Sequence, residues 1–253
     1  MNLLNAMWIA ISTYSILPAP RVEWRSENMR SSICFLPIVG IFIGGALILW
    51  QWFCLALKAE AVLFAAVAMI VPLMLTGGIH MDGFMDTADA LCSHQPKERK
   101  LEIMKDSHVG AFAVIWCASY LLLCFGLYWS LYQGTVIGVA SVGFILSRAL
   151  CTLSALTLPN ARNGGMLFAF TEHVKGRRVV AAMLALSVVC SGAMIFLGFW
   201  PGLCGVAACA IAFWGYRRMA KRQFGGVTGD TSGFFIQLCE LCMLFGVWIG
   251  GFL

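Results

Sequence analysis

Charge is what this sequence has least of. Only 11% of its 253 residues are Asp, Glu, Lys or Arg, where a soluble domain carries about a quarter. Hydrophobic residues make up 60%, and the mean hydropathy is +0.85. Such a chain cannot cover a water-facing surface, so a soluble globule is excluded. Acid is scarcer than base, 12 carboxylates against 17 Lys and Arg, for a net charge of +5. That excess does not point to nucleic acid, because the cations flank apolar runs, where membrane topology accounts for them. The opening MNLLNAMWIAISTYSILPAP has neither a basic n-region nor a small-residue cleavage site, so no removed signal peptide is expected. A GxxxxGK[ST] loop is missing, which argues against a Walker-type nucleotide site. Low-complexity linkers and internal repeats are missing too. Cysteine is plentiful, 11 in all, but most lie in apolar runs as small hydrophobes. The pair Cys239 and Cys242 has no second pair to complete a zinc or redox motif.

What the chain does have is apolar runs long enough to cross a bilayer, about 20 residues each. These are 33–57, 61–79, 109–132, 135–158, 179–200, 202–216 and 232–253, with a hairpin expected around Pro201. Residues 2–17 are apolar but short, and would either cross at a slant or lie in the interface. The expected fold is an all-α polytopic integral membrane helical bundle of about seven to eight segments, with residues 1–253 forming one catalytic domain. Gly40 and Gly44 form a GxxxG that suits close helix contact. Polar loops 18–32, 80–108, 159–178 and 217–230 hold fifteen of the 17 Lys and Arg; Lys58 and Arg148 are the others. By the positive-inside rule these four loops share the cytoplasmic side. Arg148 and Glu240 lie inside spans, where ionisable groups face the bundle interior and can pair.

The polar stretch 76–110, TGGIHMDGFMDTADALCSHQPKERKLEIMKDSHVG, holds four of the five aspartates. Asp82, Asp86 and Asp89 stand at i, i+4 and i+7. On a helix Asp86 lies about 40° and Asp89 about −20° from Asp82, a single narrow stripe. Carboxylates so close repel one another, and a hard divalent cation such as Mg²⁺ relieves the repulsion with oxygen ligands. A solvated acidic helix is the plainer alternative. Asp106, at the end of the same loop, is either a fourth ligand or a helix cap. His80 points well away from Asp82, which makes it a poor co-ligand but leaves a proton-carrying or phosphate-contacting role open.

The second polar constellation is FGGVTGDT, 224–231. Gly225, Gly226, Thr228 and Asp230 form a glycine-rich turn opening the last helix, where backbone N–H groups suit a phosphate. Arg217, Arg218, Lys221 and Arg222 add positive charge just upstream, or anchor the chain to anionic lipid. Asp230 is a further ligand or simply the cap. Arg162, with Gly164 and Gly165, is another anion contact. Clustered carboxylates beside cationic loops describe a site for displacement at phosphorus: metal and arginines neutralise the phosphate oxygens while a carboxylate takes a proton from the attacking hydroxyl.

The runs GGIHMDGFMDTADA and EIMKDSHVG, with the early LPAP, FLPIVGIFIGG and the late GGVTGDT, resemble the cobalamin synthase (adenosylcobinamide-GDP ribazoletransferase) family. The resemblance covers nearly the whole chain in order. It implies an enzyme of the bacterial inner membrane, with a cytoplasm-facing site, in the last steps of coenzyme B12 assembly. The implied reaction joins adenosylcobinamide-GDP to α-ribazole or its 5′-phosphate and releases GMP, with Mg²⁺ as cofactor. It implies Asp82, Asp86 and Asp89 as the catalytic, metal-binding core and Asp106 as a partner. A homo-oligomer or a complex with other cobalamin-assembly enzymes is left open. Two alternatives differ in class. A CDP-alcohol phosphotransferase would carry the Ala-Arg of the longer DxxDGxxAR motif, which this chain lacks. A divalent-cation transporter would place its acids near the bilayer midplane, between repeats.

Overall fold

The computed structural model of the chain describes residues 3–132, 134, 136–162, 164–171 and 176–253. Asn2, Gln133, Thr135, Asn163 and Lys175, which the sequence reading used for spans and loops, lie outside the described residues. The described chain is helical, and its one β-type pairing is a lone bridge between Asn160 and Val227. In order the helices are α1 (Leu3–Tyr14), α2 (Ser26–Ser32), α3 (Leu36–Ala56), α4 (Ala61–Thr76), α5 (Ile79–Cys92), α6 (Lys97–Ile103), α7 (Ala111–Leu131), α8 (Ile137–Thr157), α9 (Met166–Thr171), α10 (Arg177–Leu197), α11 (Phe199–Met219) and α12 (Gly229–Gly250). A 3₁₀ turn, Ile33–Phe35, leads into α3, and a π-helical turn, Ala220–Phe224, prolongs α11.

Six of these helices, α3, α7, α8, α10, α11 and α12, are long and apolar enough to cross a membrane, and the bent pair α4–α5 brings the total to as many as seven. The chain is a multi-pass membrane protein. Large apolar side chains such as Leu49, Trp52, Leu122, Val188, Phe196 and Ile211 stand exposed on the outer helices, a surface suited to lipid. Among the described residues the possible eighth segment is the short helix α1. Twelve residues of α1 rise about 18 Å, too little to cross, and α1 packs instead on α2 and the start of α3.

α12 is the hub, packed against α5, α7, α8 and α11. α3 and α8 meet through the predicted GxxxG: a Cβ on Gly40 would stand 2.5 Å from the carbonyl oxygen of Phe144, and one on Gly44 2.6 Å from that of Ser141. Arg148 and Glu240 do pair across the α8–α12 contact, Nη1 to Oε1 at 2.5 Å, both side chains almost fully buried. The hairpin between α10 and α11 turns at Gly198 rather than at Pro201. Pro201 lies in the first turn of α11, where its missing N–H costs no helical hydrogen bond.

The sequence led the run 61–79 straight into the aspartate stripe. The structure instead turns the chain by 94° between α4 and α5. Gly77 and Gly78 make the corner, with φ of 61° and 77° in succession, a left-handed pair that no side chain tolerates easily. α5 therefore runs nearly at right angles to α4 and does not continue it.

The two ends of the bundle differ in kind. At one, short turns tie together: Tyr132 Oη donates to Ala59 O at 2.9 Å, and Gln51 Nε2 to Tyr132 O at 2.9 Å. At the other the polar loops interlock. Lys100 Nζ donates to Gln223 Oε1 at 2.6 Å, and Arg217 Nη1 to Thr157 Oγ1 at 2.5 Å. The charge alternation along the sequence anticipates this segregation.

Candidate active site

The aspartate stripe is a helix, as its spacing requires. α5 holds Asp82 exposed and Asp86 and Asp89 half-buried, while Met81, Phe84 and Ala88 face the core. Gly83 lets it lie backbone to backbone on the start of α12: a Cβ there would come within 2.7 Å of the carbonyl oxygen of Asp230. That contact is what brings the late glycine turn to the stripe. Phe84 stacks on Phe234 at 5.2 Å and holds the crossing in register.

The three stripe carboxylates have different neighbours. Both oxygens of Asp89 accept backbone N–H groups from the start of α7, Gly110 at 2.7 Å and Ala113 at 2.9 Å. Asp89 thus caps another helix, a role that spacing along its own helix cannot reveal. Asp89→Ala should lower stability by about 1–2 kcal/mol, read as a drop in the thermal midpoint; an unchanged midpoint would remove the capping role. Asp86 is pushed up to about 6, first by burial and then by the charges of Asp82, Asp230 and Asp89, with Arg162 pulling the other way. Asp106 folds back toward the stripe and lines a cavity of about 220 Å³ with Asp86 and Asp89. Its Oδ1 accepts the His108 N–H at 3.0 Å and lies 2.6 Å from His108 Nδ1, and these contacts hold its carboxyl below the ordinary range.

A second cavity, of about 210 Å³, opens on the other side of Asp82. Asp82, Arg162, Thr228, Gly229 and Asp230 line its polar part, and Leu36, Cys151 and Ile236 its buried part. Asp230 is not the cap. Thr228 is, its Oγ1 accepting the Thr231 N–H at 3.1 Å while Thr231 Oγ1 accepts the Thr228 N–H at 2.8 Å. Asp230 is left to face Arg162, Nη1 to Oδ2 at 3.4 Å, and Arg162 is itself anchored by Nη2 to Leu101 O at 2.7 Å. Arg162, a weak candidate by motif, is the cation the fold puts among the carboxylates.

The glycine turn is more scaffold than cradle. Gly226 lies against the Pro159 carbonyl, and Val227 exchanges backbone hydrogen bonds with Pro159 and Ala161, each 2.9 Å, which fixes Arg162 beside Asp230. Gly225 adopts φ of 81° to end the π turn. Arg222 stands exposed on that turn and is not among the residues lining either cavity.

His80 is buried and lines the cavity beside Asp82. Its ring stacks on Tyr14 at 6.4 Å, and its Nε2 has no hydrogen-bond partner. Burial, and secondarily the charge of Arg148, lower it to about 3, so it is neutral throughout the working range. Tyr14 and Asn160, which the sequence reading missed, also line this cavity. They carry no local motif, and only the packing of α1 and the 159–162 loop brings them in.

Among the described residues no three His, Cys, Asp or Glu side chains converge into a ready metal cage. Mg²⁺, however, is usually held by one or two carboxylates and completed by water and substrate phosphate. Asp82 and Asp86, adjacent on one helix face with mutually unfavourable charge, have the donor chemistry for that mode. Acids concentrated at one end, with the mid-bundle carboxylate of Glu240 neutralised by Arg148, do not have a transporter's arrangement.

A family model described as cobalamin-5-phosphate synthase matches residues 6–248. The chain belongs to that family. Proteins named adenosylcobinamide-GDP ribazoletransferase align with it almost end to end. The one from Lachnoclostridium phytofermentans is 39% identical over 95% of this chain and 92% of its own length. The one from Desulfitobacterium hafniense Y51 is 35% identical over 98% of both chains. That of Pseudomonas savastanoi pv. phaseolicola is 33% identical over 94% and 96%. No solved structure matches significantly. The family is one of transferases of cobalamin nucleotide-loop assembly, and its members' near-complete alignment puts the HxDGxxDxxD and GGVTGDT segments of this chain within the shared length.

Proposed function

We propose that the chain transfers the adenosylcobinamide-phosphate group of adenosylcobinamide-GDP to α-ribazole or its 5′-phosphate, releasing GMP, at the cavity between Asp82 and Asp230. The observation that carries this is the backbone contact of Gly83 with Asp230, which sets the stripe opposite the start of α12 with Arg162 between them. Asp82 and Asp86 are the carboxylates that would hold Mg²⁺. When bound there, the ion would neutralise diphosphate charge and stabilise the departing phosphate. Arg162 binds the outer phosphate oxygens by charge-assisted hydrogen bonds. Asp230, on the facing wall, accepts the proton of the acceptor hydroxyl as its oxygen bonds to the cobinamide-side phosphorus. The P–O bond to GMP breaks, and GMP leaves with the electron pair. Asp89 and Thr228 keep α7 and α12 at the angles this geometry needs. Asp106 lies at the margin, on the side of Asp86.

The excess of Lys and Arg in the site-end loops supports a bacterial inner-membrane location with the site facing the cytoplasm. Purified protein given Mg²⁺, adenosylcobinamide-GDP and α-ribazole should release GMP in step with loss of the acceptor. No release with either acceptor would end the proposal.

Cation dependence has a sign that can be checked. A carboxyl raised to about 6 in the fold favours its protonated form there, so without cation the fold loses stability as pH rises toward and through 6. A cation binding Asp86 competes with that proton. Mg²⁺ should therefore raise the thermal midpoint more at pH 7.5 than at pH 5.5, and Asp86→Asn should flatten the difference. Equal shifts at both pH values would remove Asp86 from the binding set.

A further inference from the structure

The transfer reaction leaves open where its two substrates stand, and the cavity beside Asp82 is asymmetric in a way that bears on this. Its buried part is formed by Ile33, Leu36, Cys151 and Ile236, all within 3% of full burial. In that apolar wall there is one polar side chain that is more than nine-tenths buried and unsatisfied: His80, 6% exposed, with Nε2 lacking any partner. An orphaned ring nitrogen in an apolar setting is destabilising. It is tolerated where a ligand supplies the missing hydrogen bond.

We infer that this cavity is the acceptor subsite, taking the flat, largely apolar heterocycle of the incoming nucleoside against its buried wall with His80 Nε2 as the one polar contact, and its sugar toward Asp82 and Asp230. The inference rests on the transfer reaction proposed above and assigns one of its two substrates. Size and hydrogen bonding both decide the assignment. A space of about 210 Å³ admits a bicyclic base and not a corrinoid macrocycle. The donor's guanine carries several donors and acceptors round its edge, whereas the cavity wall offers it one unpaired nitrogen, the side chains of Asn160, Thr228 and Ser232 being already engaged within the protein. An alkylated benzimidazole, once one ring nitrogen bears the sugar, has a single acceptor left. That single acceptor matches the single unpaired nitrogen, with Nε2 as the donor. Tyr14, stacked on His80 at an interplanar angle of 27°, continues the planar wall a flat ring would lie along. The sugar then falls at the polar mouth, where its hydroxyl meets the carboxylates and Arg162. The bulky donor approaches from outside, along the exposed face of Asp82.

The test uses the full chain in lipid nanodiscs, with α-ribazole alone and GDP alone as calorimetric probes. His80→Phe should weaken α-ribazole binding at least tenfold and leave GDP binding within twofold. In turnover it should raise KM for α-ribazole by the same factor with little change in KM for adenosylcobinamide-GDP. His80→Gln, which restores a donor, should recover part of the loss. Unchanged α-ribazole affinity in His80→Phe, or a loss confined to GDP, overturns the assignment. Should His80→Phe fail to fold, Met166→Cys serves instead, since Met166 lines the cavity and is 53% exposed. Its alkylation, followed by peptide mass spectrometry, should be slowed by α-ribazole and not by GDP; the reverse pattern overturns the subsite. Wild type that binds α-ribazole with this protection yet releases no GMP would sink the reaction and leave the subsite standing. GMP release with protection by GDP alone would do the opposite.

Discussion

Asp82→Asn should lower GMP release at least about 100-fold while the protein inserts and folds normally. Asp82 is the exposed member of the stripe and sits at the boundary of the cavity that Asp230 and Arg162 also line. An isosteric change at an exposed position costs little stability, within about 0.5 kcal/mol. It also removes one of the charges that raise Asp86, so the cation-free protein should be no less stable than wild type and Asp86 should titrate lower. The combination separates two kinds of aspartate on one helix. Asp89→Ala should cost stability through α7, whereas Asp82→Asn should cost turnover alone. The measurements are GMP release per mole of folded protein and the thermal midpoint without added cation. Full turnover by Asp82→Asn would refute the carboxylate assignment, and a large fall in its midpoint would show that Asp82 is structural.

Glu240→Gln should destabilise the bundle by about 3–5 kcal/mol. Glu240 and Arg148 are each about 1% exposed, and Arg148 Nη1 also donates to Phe144 O at 2.9 Å. Taking two charges into the bundle interior is costly, and their mutual attraction offsets that cost only while both are present. Removing one leaves the other as an uncompensated charge between α8 and α12. Arg148→Met combined with Glu240→Leu should recover most of the loss, since an apolar pair of similar volume needs no partner. Chemical unfolding in detergent would give both values. If the double variant is as unstable as the single one, packing at this crossing, not charge, holds the helices.

The stripe Asp82–Asp86–Asp89 was legible because helical periodicity is a local property, and three acids in an acid-poor chain stand out. The charge alternation of the loops was legible for a related reason: each span is long, apolar and independent of its neighbours. The motif reading could not see partners distant in sequence. Asp89 reads as a ligand from its spacing, yet its oxygens meet Gly110 and Ala113. Arg222 reads as a phosphate contact and Arg162 as a weak one, and the fold reverses their standing by tying the 159–162 loop to Val227.

By itself, the sequence determined that this is a membrane helix bundle with most of its acids and bases at one end, because hydrophobic length and charge placement act segment by segment. It determined the family as well, through ordered motifs spread over the chain. Only tertiary structure decided the right-angle corner at Gly77 and Gly78, the seating of Gly83 on Asp230, and the burial of His80 against Tyr14. Those depend on which backbones approach closely enough to touch, and close approach is set jointly by residues that are far apart along the chain.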